Sequence, residues 1–309
     1  MCSPSVNAAA AQAVAVLMTN RDDIDDYLEV AIIGKAPPFS FKAVPIIAVP
    51  TTAGAGSEVT KTAVLKCTAK IRKILLRHDF MMPAVAIVDP TLSLTCPTQA
   101  TAYAGLGALT QLVETYVTDA LDPITAALAR DGLLRAARSL RAAVADSHDT
   151  TAREDLAIAA VFSGYCLNGA KHGVVQGYAM AIGGVFEVAS YGAICGALLP
   201  TVFRKKVEKL MEEADGGDKE AERRLQQYTD VSRILTGNPT ATPEQGAQWL
   251  ESLTRDLRVP TLLEMCGVKE IVDETVKDIA RSMLTPANSR SHMVSMSAEG
   301  LEEILKMKL

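Results

Sequence analysis

The hydrophobic period of this chain changes once, near residue 97, and that change limits the folds open to it. Before it lie two short apolar runs fenced by prolines, Pro45-Ile-Ile-Ala-Val-Pro50 and Pro83-Ala-Val-Ala-Ile-Val-Asp-Pro90. Each has the length of a buried strand in a parallel sheet, and each stops where proline cannot join a ladder. Ala8 to Met18 reads as an Ala-rich helix ahead of them, and an acidic turn (Asp22, Asp23, Asp25, Asp26) leads into Tyr27. From Thr98 onward strand signals vanish. Ala/Leu-rich stretches at 98–118, 123–146, 151–167, 243–257 and 269–283 carry helical spacing instead. The expected organisation is a partial α/β domain over 1–97 and an α-helical domain over 98–309.

Aromatics are only 5% of the 309 residues, so the core must be built from Ala, Val, Leu and Ile. The formal charge is −5 with no basic stripe, which argues against nucleic acid as a partner. No apolar run reaches the roughly 18 residues of a membrane helix, so no membrane insertion is expected. Met-Cys-Ser-Pro-Ser at the start has no basic segment followed by an apolar one, so no secretory signal is expected. Cys2, Cys67, Cys96, Cys166, Cys195 and Cys266 show no Cys-x-x-Cys spacing. They read as buried free thiols in a reducing intracellular compartment, cytoplasm or organelle matrix. The charged stretch from Arg204 to Arg224, broken at Asp215-Gly216-Gly217-Asp218, reads as two solvated helices joined by a surface turn.

After the strand at 46–49 the chain continues Pro50-Thr-Thr-Ala-Gly-Ala-Gly-Ser-Glu-Val-Thr60. Backbone amides and hydroxyls in such a loop can approach a phosphate or a nicotinamide amide. This string resembles the signature of the iron-containing alcohol dehydrogenases, a branch of the dehydroquinate-synthase-like superfamily. Val88-Asp89-Pro90-Thr-Leu92, Gly105 to Thr118, Asn168, Gly177, Ile182-Gly183-Gly184 and Gly192 to Pro200 resemble further family segments, and the similarity fades after about residue 205. The resemblance implies a Rossmann-like N-terminal domain and a helical metal-binding domain. It also implies NAD(P)-dependent alcohol or aldehyde chemistry, with a divalent metal polarising the substrate oxygen.

The family's metal helix reads Gly-x-Asp-Ala-x-x-His-x-x-Glu. Here Gly105 to Glu114 puts Gly107 in place of the Asp and Gln111 in place of the His. Gln176 stands for the third ligand, Tyr191 for the fourth, and Met180 for a further His. A carboxamide is a weak neutral ligand beside imidazole or carboxylate, and one tyrosine cannot supply about four groups. No metal is therefore expected. A relocated pair, His172 with Glu114, is too few, and Glu114 reads equally as a helix-surface or capping carboxylate. His78 and His148 read as exposed. On the cofactor side, Met1-Cys2-Ser3-Pro4-Ser5 falls where the family has its Gly-rich pyrophosphate turn, implying that the leading strands are missing. The cofactor contacts that the resemblance leaves are Thr51, Thr52, Ser57 and Lys73.

The expectation is a degenerate, non-catalytic structural or assembly subunit with no cofactor. The alternatives are an NAD(P)-dependent alcohol or aldehyde oxidoreductase, and a metal-independent activity using Gln111, Gln176, Tyr178 and Tyr191. Ile46 to Val49 is apolar on both faces and lacks the charge or bulge that protects an edge. A homo-oligomer or heteromeric assembly is expected to cover it, unless residues 1–45 fold back with the 8–18 helix as a lid.

Overall fold

The computed structural model describes residues 4–21, 23–27, 39–67, 72–119, 121–169, 173–186, 188–284 and 296–309. Met1 to Ser3, Asp22 and His172 lie outside them, as do the side chains of Asp25, Asp26 and Cys67. Helix α1 (Pro4–Leu17) and the short α2 (Ile24–Tyr27) precede strand β1 (Ile47–Ala48). A 3₁₀ turn at Ser57–Val59 then leads into β2 (Thr62–Cys67), β3 (Arg72–Arg77) and β4 (Val85–Ala86). Both proline-fenced runs do form strands, paired in parallel with Ile47 opposite Val85 and Ala48 opposite Ala86. Only two residues of each pair, with the Ala84 and Ile87 N–H groups donating to the Ile46 and Ala48 carbonyls at 2.9 Å.

The β2–β3 hairpin was not expected from the sequence. It pairs antiparallel from Thr62 opposite Arg77 to Cys67 opposite Arg72. Ala63, Val64 and Leu65 are consecutive apolar residues, which blurs the alternation of a half-buried strand. Ala63 and Leu76 turn inward onto Ala9, Ala13, Val16, Tyr27, Phe39 and Met81, a small core roofed by α1. Val64 turns outward. His78 belongs to this core's rim and is half-buried, which corrects the exposed reading. Its ring meets Phe39 and Phe80 edge-on, and its Nδ1 accepts from the Phe80 N–H at 3.1 Å. His148 is exposed, as read.

From residue 98 the described chain is helical: α3 (Thr98–Tyr116), α4 (Pro123–Ala145), α5 (Thr150–Gly169), α6 (Val174–Val185), α7 (Tyr191–Asp215) and α8 (Lys219–Thr236). Then follow α9 (Pro243–Asp256), α10 (Leu262–Cys266), α11 (Asp273–Met283) and α12 (Ala298–Lys306). The starts are set by caps. Asp122 accepts from the Ile124 and Thr125 N–H groups ahead of Pro123, and Thr242 with Gln245 forms a capping box. The turn between α7 and α8 lies at Gly216-Gly217 as read. The expected solvation fails for the inner flank of α7, where Val207 and Leu210 are buried. One apolar core runs through all these helices, with Leu109, Leu112, Leu133, Leu140, Ile194 and Leu198 at its centre.

Candidate functional site

The loop after β1 is clamped by three helices. Gly54 rests on Ala104 of α3, where an added Cβ would stand 3.2 Å from the alanine methyl. Its carbonyl accepts from the Ser163 hydroxyl of α5 at 3.2 Å. Gly56 has φ of +63° and is pressed against α5. A Cβ there would stand 2.2 Å from the Ala160 carbonyl oxygen. Asn168 and Gln12 complete the clamp. Asn168 Nδ2 donates to the Val59 carbonyl at 2.7 Å, and Gln12 Nε2 of α1 donates to the Thr60 carbonyl at 2.6 Å. The loop is therefore ordered by its own protein contacts, as its glycines suggest.

Between α1, β1 and this loop lies a groove of about 340 Å³. Thr51, Thr52 and Ser57 line it together. Gln12 also lines it, and its Oε1 is buried without a hydrogen-bond partner among the described residues. Glu58, on the same wall, is buried and its carboxyl is pushed up by desolvation. The fourth selected residue, Lys73, is elsewhere. It reaches from β3 across α6, where a Cβ on Gly183 would stand 2.5 Å from its Nζ. Burial pushes its ammonium down, against the nearby Cys195 thiol.

Ala104, Gly107 and Gln111 follow one another along a single face of α3. The loop at Gly54 thus sits about one turn from Gly107 and two turns from Gln111. Gly107 lies under the Tyr191 ring, whose Cε1 would be 3.6 Å from an added Cβ. Burial pushes the proton affinity of the Tyr191 hydroxyl well above the ordinary value, and Cys195 and Gln111 lie close enough to bear on it. Gln111 is 2% exposed and its Oε1 has no partner among the described residues. Gln176 is equally buried, on α6. Gly107, Gln111 and Tyr191 therefore lie together, as glycine, carboxamide and phenol, while Gln176 is buried on α6 beside Glu114.

Glu114 is no surface residue, which corrects one of the two readings above. It caps α6 from α3: its carboxylate accepts from the Val175 N–H at 2.7 Å and from the Gln176 N–H at 3.1 Å. Gly173 makes this possible, since a Cβ there would stand 2.1 Å from the Glu114 carboxyl carbon. The signal was present in the sequence, because a glycine before Val174-Val175-Gln176 leaves the helix start without a cap of its own. Desolvation raises the Glu114 carboxyl, and the two N–H groups with Lys206 pull it down.

Lys206 shares with Glu114 a small cavity of about 30 Å³, and burial pushes its ammonium down to about 8. A base with a depressed value in the folded state binds fewer protons than the unfolded chain between about 8 and its ordinary 10.5. Its contribution to stability is present above that window and lost as pH falls through 8. Wild type is therefore expected to gain on Lys206→Met, by of order 2 kcal/mol, as pH rises from 7.5 to 10.5. Paired thermal melts across this range check it; a constant gap would show that Lys206 keeps its ordinary affinity.

With this geometry in view, two comparisons decide the family. Residues 101–309 match the C-terminal part of the Fe-containing alcohol dehydrogenase family, and residues 8–90 match iron-containing alcohol dehydrogenase. The chain belongs to the iron-containing alcohol dehydrogenase family. Alcohol dehydrogenase 4 of Saccharomyces cerevisiae is 32% identical over 296 residues, covering 96% of this chain and 72% of the relative. The 1,3-propanediol dehydrogenase of Klebsiella pneumoniae is 30% identical, covering 83% and 62%. Among solved structures, an alcohol dehydrogenase from Oenococcus oeni superposes with a TM-score of 0.83 at 26% identity, over 98% of this chain and 74% of that one. The fold is the family's: a Rossmann-like remnant with an all-helical domain. These relatives are named dehydrogenases, which supports dehydrogenase function at family level and gives the non-catalytic expectation no support.

The donor set does not fit the family's metal. Gly107 offers no side chain, Gln111 and Gln176 offer neutral amides, and both Glu114 oxygens are taken up by α6. Among the described residues no three His, Cys, Asp or Glu side chains converge on a metal-sized site. No described helix is long and apolar enough to cross a membrane.

Proposed function

We propose that this chain carries out NAD(P)-linked oxidoreduction of an alcohol or aldehyde, with no metal at the Gly107, Gln111, Gln176 and Tyr191 positions. The carrying observation is the intact 50–57 loop, which rests on Ala104 of α3, one helical turn before Gly107. Its groove falls within the ~300–1,000 Å³ range of small-molecule sites. Thr51, Thr52 and Ser57 would hold the nicotinamide end of a cofactor through their hydroxyls, and the unpaired Gln12 Oε1 offers an acceptor. When bound, the cofactor supplies the hydride. Tyr191 keeps its phenolic proton at neutral pH because it is buried, so its hydroxyl can donate to a substrate oxygen. Lys73 adds positive charge on the far side of Cys195. On this reading residues 1–97 are the cofactor side and 98–309 the helical wall of the cleft.

The ligand positions also favour a second reading, a non-catalytic subunit that keeps the fold for assembly. Fluorescence titration with NADH and NADPH separates the two. Saturable binding that Thr52→Val and Ser57→Ala weaken about tenfold or more supports the first. Aldehyde-dependent oxidation of bound NADH, unchanged by a chelator, completes it. Absence of saturation by either nucleotide at millimolar concentration leaves the second reading in possession.

A further inference from the structure

We propose that Cys96 is a redox-reactive thiol and that the buried guanidinium of Arg153 holds the anion formed when it is oxidised. Cys96 lies in the bend between the 3₁₀ turn at Pro90–Ser93 and α3, and is half-buried. The other three described cysteines, Cys166, Cys195 and Cys266, are buried. Desolvation pushes the Cys166 thiol up to about 12 and the Cys266 thiol up to about 11, and raises Cys195 as well. These three are shielded twice over, by access and by the cost of a thiolate in an apolar setting.

Arg153 supplies the second, independent observation. It sits on α5 at 2% exposure, a position at which arginine normally carries a carboxylate partner. Here Nε donates to the Ser147 carbonyl at 3.1 Å and Nη1 to the Thr101 hydroxyl at 2.8 Å. Nη2 has no acceptor among the described residues. A buried cation with a spare N–H calls for an anionic oxygen.

The chain trace brings the two groups to one corner. The Pro97 carbonyl accepts from the Thr101 N–H at 2.9 Å and from the Cys96 thiol at 3.8 Å. Thr101 in turn accepts from Arg153. Pro97 provides no side-chain cap for the 19-residue α3. A negative group there gains both the helix field and the Arg153 N–H. Hydrogen peroxide is the simplest oxidant that fits. The Cys96 sulfur bonds to one peroxide oxygen, the O–O bond breaks, and the departing hydroxide takes the thiol proton to leave as water. Sulfur is oxidised by two electrons to the sulfenic acid or its anion, and peroxide is reduced.

The test treats the full chain with dilute hydrogen peroxide in the presence of dimedone and maps labelled peptides by mass spectrometry. In wild type the Cys96 peptide is expected to label about tenfold faster than those of Cys166, Cys195 and Cys266. Arg153→Gln, checked for folding by circular dichroism, is expected to slow Cys96 labelling about fivefold or more. Should that variant not fold, Arg153→Lys keeps the charge but loses the planar fork, and an intermediate rate is expected. Labelling at Cys96 no faster than at the buried thiols overturns the proposal. So does a rate that is the same in wild type and in whichever Arg153 variant folds.

Discussion

Gly164→Val is expected to be among the most damaging substitutions in the chain, costing about 3–5 kcal/mol. An added Cβ at Gly164 would lie 2.3 Å from the Gly56 carbonyl oxygen and 2.7 Å from Val59 Cγ2. The reciprocal contact is as close, because a Cβ at Gly56 would lie 2.6 Å from the Gly164 nitrogen. Backbone meets backbone on both sides, so no flexible side chain can give way. Gly237 provides the control. It has φ of +67°, close to that of Gly56, but nothing within 4 Å of its would-be Cβ. Gly237→Ala carries only the left-handed strain, about 1 kcal/mol, whereas Gly56→Ala carries the strain and the clash. Urea unfolding of the three variants measures the difference. Equal midpoints for Gly56→Ala and Gly237→Ala would mean that the loop is not locked onto α5. Nucleotide titration of any Gly164→Val protein that folds should show the groove weakened in parallel, since Ser57 and Gly56 share that segment.

How far the sequence foretells these features depends on how local their causes are. The two proline-fenced strands, the helices beyond residue 98 and the glycine loop each follow from a few neighbouring residues. The β2–β3 hairpin does not, because Val64 breaks the alternation and only the α1 roof decides which face is inside. Glu114 depends on a contact 61 residues away, with Val175. The spacing of Glu114 on α3 tells only that it faces roughly as Gln111 does. What it touches is settled by Gly173 leaving room for it. Lys73 shows the same limit from the other side. It was grouped with Thr51, Thr52 and Ser57, yet the hairpin carries it to Gly183 and Cys195, away from their groove. The ligand positions come from the family resemblance, and helical spacing adds only that Gly107 and Gln111 share a face of α3. That Tyr191 folds over Gly107 is a tertiary fact with no local signal.

The second large effect concerns the sheet. On β1, β4 and their flanks Ile47 is 66% exposed, Ile87 50%, Val49 46% and Val85 46%. Parallel strands are ordinarily covered on both faces, and two of them alone do not make a stable layer. Helix α1 is not the cover that the fold-back alternative would require. It packs on the hairpin core and lines the groove, and leaves Ile47 in the open. Burying even ~300 Å² of such surface at about 25 cal/mol/Å² yields of order 7 kcal/mol before the entropy of association. The chain is therefore expected to associate, with itself or with another protein, through this face. Light scattering at micromolar concentration should report a mass above the 32.8 kDa of one chain. Ile47→Lys with Ile87→Lys should bring that mass down to a single chain while the helical circular dichroism persists, because neither residue belongs to the helical core. The two lysines place charge on the strand that the partner must cover, the means by which natural edge strands stay unpaired. A wild-type chain that stays monodisperse at one copy, and comes from its native source without a partner, would show that water tolerates this face as it stands.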